Sequence, residues 1–102
     1  MTKAMSGGFQ LRSDVPGTLG VSGALNFDTA AAALQSIRTA LADKSIAQLN
    51  LADVHSADSA GLSCVVEVMA EAAAQGRSLQ VKDMPSGMRA LAQVCEVDQL
   101  IG

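Results

Sequence analysis

Leu49-Asn50-Leu51-Ala52-Asp53-Val54 followed by Asp58-Ser59-Ala60-Gly61-Leu62 is the stretch on which the fold turns. It reads as a strand over Ile46 to Leu51, a polar loop over 52–57, and then the longest helix of the chain, from about Ser59 to Gln75. Leu62, Val65, Val66, Met69 and Ala73 recur at helical spacing and form the expected core stripe. Gly76 is a good stop for that helix. Asp58 or Ser59 can cap its start by accepting a hydrogen bond from an orphan backbone N–H. Gly61 is the anomaly, because glycine in the first turn of a helix costs up to ~1 kcal/mol against alanine. A glycine there makes sense if another backbone must approach closely.

On either side of this unit the pattern continues. Phe9 and Leu11 alternate with Gln10 and Arg12, and Leu19 and Val21 alternate with Thr18, Gly20 and Ser22. With Pro16-Gly17 between them these two strands are expected to form a hairpin. Asp28 is a candidate N-cap for a helix to about Asp43, with Ala30, Ala33, Leu34, Ile37 and Leu41 on its apolar face. Leu79 and Val81, alternating with Gln80 and Lys82, give a fourth strand. Pro85 suits the first turn of a last helix that buries Met88, Leu91, Ala92 and Cys95. The order β-β-α-β-α-β-α implies parallel crossovers beside one antiparallel pair. The strands are polar at every second residue, so helices are expected on one face only. The expectation is a two-layer α/β domain with a mixed sheet of four to five strands and three helices mainly on one face. Residues 1–8 read as a flexible tail and 9–102 as a single domain.

Composition narrows the function classes. Phe9 and Phe27 are the only aromatics, so the core must be aliphatic and the stacking platforms of single-strand nucleic-acid binders are absent. The net charge is −3, and Lys3, Arg12, Arg38, Lys44, Arg77, Lys82 and Arg89 are scattered singly. Nucleic acid and anionic membranes need clustered cations, so neither is an expected partner. No apolar run reaches the ~20 residues of a bilayer span, and Met1 to Gly8 has no apolar core of the signal-peptide kind. A cytoplasmic location and no direct membrane insertion are therefore expected. In a reducing compartment Cys64 and Cys95 are expected to act as two buried small hydrophobes.

A catalytic set is hard to assemble. His55 is the single histidine, no Cys/His zinc spacing occurs, and no glycine-rich phosphate loop is present. Asp53 and Asp58 are too few oxygen donors for a cation site. A Ser59–His55–Asp53 relay lacks a nucleophile elbow and an oxyanion signature. No enzyme activity, cofactor or metal is expected. Ser63, Glu67 and Glu71 form a polar stripe on the long helix, and Cys64, Val68 and Ala72 run beside it as a second apolar row. That row is either part of a wide core stripe or an interface patch next to a polar rim.

These segments resemble the STAS domain family. Val21-Ser22-Gly23-Ala24-Leu25-Asn26-Phe27 is similar to the family's G-E-L-D-type turn into the first helix. Leu49 to Val54 is similar to its third strand, Asp58 to Leu62 to its D-S-x-G-L hallmark, and Leu91 to Leu100 to its last helix and tail. The resemblance implies a non-catalytic domain that docks a partner through Asp58, Ser59, Ala60, Gly61, Leu62, Ser63 and Glu67. In anti-sigma factor antagonists the serine matching Ser59 is phosphorylated by a partner serine kinase. In the small cytoplasmic subunit of the Mla-type ABC transporter, which maintains outer-membrane lipid asymmetry by moving phospholipid, the domain instead binds and supports the ATPase. The short chain and its Ala/Leu-rich make-up resemble the transporter branch more closely, which would place it at the periphery of an inner-membrane complex. Asn26 and Ala24 stand where the family often has Asp and Glu, so the turn is less acidic than in a kinase-docking antagonist.

Overall fold

Alternation at the start of the chain becomes a hairpin. β1 (Phe9–Arg12) lies antiparallel to β2 (Thr18–Leu25), with Phe9 opposite Gly23 and Leu11 opposite Val21. The turn between them closes with Thr18 N–H donating to the Val15 carbonyl at 3.0 Å. The structure, a computed structural model, describes residues 8–94. The expected tail (Gly8 apart) and Cys95 lie outside the described residues.

β3 (Gln48–Ala57) joins β2 in parallel and β4 (Gln80–Lys82) joins β3 in parallel, giving the order β1-β2-β3-β4. Three helices intervene or follow: α1 (Ala30–Ala40), α2 (Ser59–Ala74) and α3 (Ser86–Val94). Leu19, Val21 and Leu25 of β2 and Leu49, Leu51 and Val54 of β3 are buried with Ala33, Ile37, Leu62, Val65, Val68, Met88 and Ala92 of the helices. Gln10, Arg12, Asp53, His55 and Lys82 point the other way and are exposed. The helices therefore cover one face, as the alternation implied.

β3 is where the structure departs furthest from the sequence pattern. The expected strand stops at Leu51 before a loop, whereas the observed strand runs on to Ala57. Gly20 pairs with Asn50 but Ser22 with Asp53, and Gly23 pairs with Val54 but Ala24 with Ser56. At each step β3 carries one residue more than β2, which makes two bulges. Core-facing residues fall at Leu49, Leu51, Val54 and half-buried Ala57, so the period of two is broken twice.

α1 begins one residue later than expected and ends at Ala40, not Asp43. Thr29, not Asp28, holds the N-cap position, and its side chain makes no cap bond. The polar turn is instead built by Asn26, whose side-chain oxygen accepts from the N–H groups of Asp28 (2.9 Å) and Thr29 (3.2 Å). Beyond α1, the Arg77 guanidinium donates to the carbonyl of Leu41 (2.6 Å), an acceptor at the C-cap of the helix, and to that of Ile46 (3.0 Å) in the loop before β3.

α2 ends in a Schellman arrangement. Gly76 has φ +73°, its N–H bonds the Ala73 carbonyl and the Arg77 N–H bonds that of Ala72. The buried stripe of α2 is wider than expected and turned toward α1. Cys64, Val68 and Ala72 are buried, Val66 and Met69 are half-buried, and Ala73 is exposed. α2 contacts the sheet, α1 and α3, so the second apolar row is core and not an interface patch. The Arg38 guanidinium of α1 pairs with Glu71 over this flank and lies 3.7 Å from Glu67.

Candidate docking site at the start of α2

Asp58 follows β3 in an extended conformation, so its side chain can reach forward to the helix that begins at the next residue. One carboxylate oxygen accepts from the N–H groups of Ala60 (2.9 Å) and Gly61 (3.1 Å). The other accepts from the Phe27 N–H at 3.1 Å, across from the β2–α1 loop. One side chain thus caps α2 and ties down a second loop. The choice between Asp58 and Ser59 as cap resolves to Asp58. Among the described residues the Ser59 hydroxyl makes no hydrogen bond; only its carbonyl is used, accepting from Ser63 Oγ at 2.9 Å.

The close approach that Gly61 permits is internal. A Cβ built there would lie 2.7 Å from the Leu25 carbonyl carbon and 2.9 Å from Leu25 Cβ, and nearer still to the carbonyl oxygen. That carbonyl also accepts the Asp58 N–H at 3.2 Å. The first turn of α2 is therefore packed directly on the end of β2. Gly61 and Leu62 are buried and serve the core. Of the residues expected to meet a partner, Ser59, Ser63 and Glu67 are exposed one helical turn apart, and Asp58 and Ala60 beside them are half-buried.

Phe27 is the surface residue that the sequence did not single out. It is 84 % exposed although it is one of only two aromatics. Its position between Asn26 and Asp28, in a turn with no apolar period, was the available signal.

The remaining candidates stay apart from this site. Asp53 and His55 lie on the uncovered sheet face, where they line a shallow cavity of about 350 Å³ with Gln10 and Ser22 but not with Ser59. Cys64 is in the core, where burial pushes its thiol up to about 11, the state of an inert small hydrophobe. Among the described residues no three His, Cys, Asp or Glu side chains gather to hold a metal ion. Nor is any described helix long and apolar enough to cross a membrane.

Asp58 is held below the ordinary carboxylate range, first by the Gly61 N–H and then by those of Phe27 and Ala60. Glu71, bonded to Arg38, and Asp43, bonded to Ser45, are lowered as well. A carboxylate with a depressed folded pKa adds stability that is present above its unfolded value and is lost as pH falls through the folded value. Thermal unfolding followed from pH 7 downward should be nearly flat to about pH 4 and then fall. Asp58→Asn, which removes one of the three depressed carboxylates, should make that acid limb shallower. A limb of unchanged steepness would contradict the role given to the Asp58 hydrogen bonds.

Comparison with known proteins bears on the fold and the family. A family model described as "Mlab, STAS domain" matches residues 10–102. No curated protein matches the chain. Among solved structures, the anti-sigma factor antagonist SpoIIAA in its unphosphorylated form superposes with a TM-score of 0.62 at 22 % identity, over 83 % of this chain and 81 % of that one. The Bacillus cell fate determinant SpoIIAA in its phosphorylated form gives 0.64 at 20 % identity, over 90 % and 86 %. These likenesses are likenesses of fold. With its four-stranded mixed sheet, three helices and Asp58-Ser59-Ala60-Gly61-Leu62 at the head of α2, the chain belongs to the STAS domain family.

Proposed function

We propose that this chain is a non-catalytic docking domain, whose partner sits on the face formed by Ser59, Ser63 and Glu67 together with the Asn26-Phe27-Asp28 loop. Phosphorylation of Ser59 by a serine kinase partner controls that contact, in the manner of an anti-sigma factor antagonist. The observation that carries the reading is the Ser59 side chain, exposed at the head of α2 with a hydroxyl that makes no bond within the described residues. Likeness to SpoIIAA, a protein known in unphosphorylated and phosphorylated forms, supports it. Electrostatics give the switch a direction. The Ala60 and Gly61 N–H groups that could hold a phosphate are already taken by Asp58. No Lys or Arg occurs in 21–30 or 52–63, so a phosphate on Ser59 would add repulsion and release the partner.

A second reading is favoured by the description of the matched family, "Mlab". On that reading the same face binds the ATPase of a phospholipid-transporting ABC complex, with Ser59 unmodified. Either contact should bury on the order of 1,200–2,000 Å² in total. The two are separated by capturing the tagged chain from its native host and incubating the complex with labelled ATP. A serine kinase that transfers the γ-phosphoryl group to Ser59 Oγ supports the first reading. An ABC ATPase with no label on Ser59 supports the second. A chain that captures neither would overturn both.

A further inference from the structure

Phe27 costs the fold something and returns little to it, because an aromatic ring 84 % exposed contributes almost no burial. Single exposed apolar residues are common on protein surfaces and need no explanation by themselves. This one differs in how firmly its backbone is held. Its N–H is fixed by Asp58 Oδ2 at 3.1 Å, the same carboxylate that caps α2. On one side, the Asn26 N–H donates to Thr29 Oγ1 at 2.9 Å, and on the other the Asp28 N–H donates to the Asn26 side chain at 2.9 Å. Thr29, 4 % exposed, in turn donates to the Ala24 carbonyl at 2.9 Å. The loop is thus a rigid mount with an aromatic ring turned to solvent, tied through its backbone to Asp58, the residue before Ser59. Rigid aromatic residues ringed by polar groups are the usual anchors of protein interfaces, since little ordering entropy remains to be lost on binding.

Charge narrows what the ring would meet. Asp28 is exposed next to it, Asp58 stands behind it, and no Lys or Arg lies in the segments that build this corner. We propose that Phe27 is the anchor of the docking face: its ring enters an apolar pocket on the partner protein, and that pocket has a basic rim facing Asp28. Asp58 acts here as a positioning residue that holds the Phe27 backbone. The proposal rests on the docking reading above and adds the residue that dominates affinity and the chemistry of the surface it selects.

The test is site-specific photocrosslinking in the native host, with benzoylphenylalanine placed singly at position 27, at Ser63 on the same face, and at Lys44 beyond the far end of α1. Positions 27 and 63 should label one and the same protein and position 44 should not. The peptide crosslinked to position 27 should be apolar with Lys or Arg close by. Label from 63 but not from 27 would leave the docking face standing and overturn the anchor. No label from either would overturn the docking reading and the anchor with it. Label on a second copy of this chain or on lipid from position 27 would overturn the partner pocket. With the captured partner purified, Phe27→Ala should weaken binding by about 30-fold while Phe27→Leu recovers part of it. Both should unfold within about 4 °C of the parent, as fits an exposed side chain. A Phe27→Ala protein that binds like the parent would overturn the anchor.

Discussion

Gly61→Ala should be the most damaging single-methyl change in α2. The added carbon would sit 2.7 Å from the Leu25 carbonyl carbon, closer than atoms in contact can approach. The obstacle is backbone, held in place where Leu25 pairs with Ala57 of β3, so no rotamer change can relieve it. Either α2 backs away from the sheet or the end of β2 moves, and both undo the cap at Asp58. Alanine is the better helix former by up to ~1 kcal/mol, so on propensity alone the change would stabilise. Overpacking reverses the sign, and a net loss of roughly 2–3 kcal/mol is expected. In a domain of this size that lowers the unfolding temperature by on the order of 10–20 °C. Chemical denaturation read by circular dichroism checks it. A Gly61→Ala protein as stable as the parent would mean that the first turn of α2 does not rest on Leu25.

Leu25→Ala should cost a comparable amount by the opposite mechanism. Leu25 is completely buried at the end of β2, where the sheet meets the start of α2. Truncation leaves a cavity lined by neighbours that are themselves fixed, and losses of about 2–5 kcal/mol are usual for such a site. Against a total stability of about 5–15 kcal/mol this is a large share. The two changes together give a sharper result than either alone. Truncating Leu25 removes its outer side chain but keeps the carbonyl and Cβ that a residue 61 methyl would strike. The double variant should therefore show no rescue. Recovery of stability in the Gly61→Ala, Leu25→Ala double variant would place the clash in the Leu25 side chain and contradict the backbone contact.

Both predictions rest on a contact that no local pattern could reveal. Gly61 was legible as an anomaly, because a helix does not favour glycine in its first turn, yet its neighbour Leu25 lies far upstream in the sequence. The hairpin, the apolar face of α1 and the start of α2 were legible because their spacing follows the period of the element. β3 beyond Leu51 was not, because two bulges shift its core residues from a spacing of two to a spacing of three. The start of α1 was misplaced by one residue for a related reason: Asp28 looks like a cap, but Asn26 builds the turn from further back. The width of the α2 stripe depended on how α1 leans on its flank, which the sequence does not encode in one helix alone. Phe27 escaped notice because large apolar residues are normally assigned to the core, and only the turn around it shows where the ring points.

Ser59 carries the central claim, and the structure makes it separable from stability. Asp58, not Ser59, caps α2, so Ser59→Ala should change folding stability by no more than about 0.5 kcal/mol. Ser59→Asp places a carboxylate at the favourable end of the helix dipole and should also fold. Beside Asp58, however, it adds a further negative charge to the proposed docking face, at a position that in the parent carries an exposed neutral hydroxyl. The decisive measurement is titration of the captured partner against the parent, Ser59→Ala and Ser59→Asp proteins, with thermal unfolding of all three in the same buffer. Ser59→Asp should remain folded and bind at least ~10-fold more weakly than the parent, a loss of ~1.4 kcal/mol. Parent-like affinity in a well-folded Ser59→Asp protein would contradict the account and remove Ser59 from the interface.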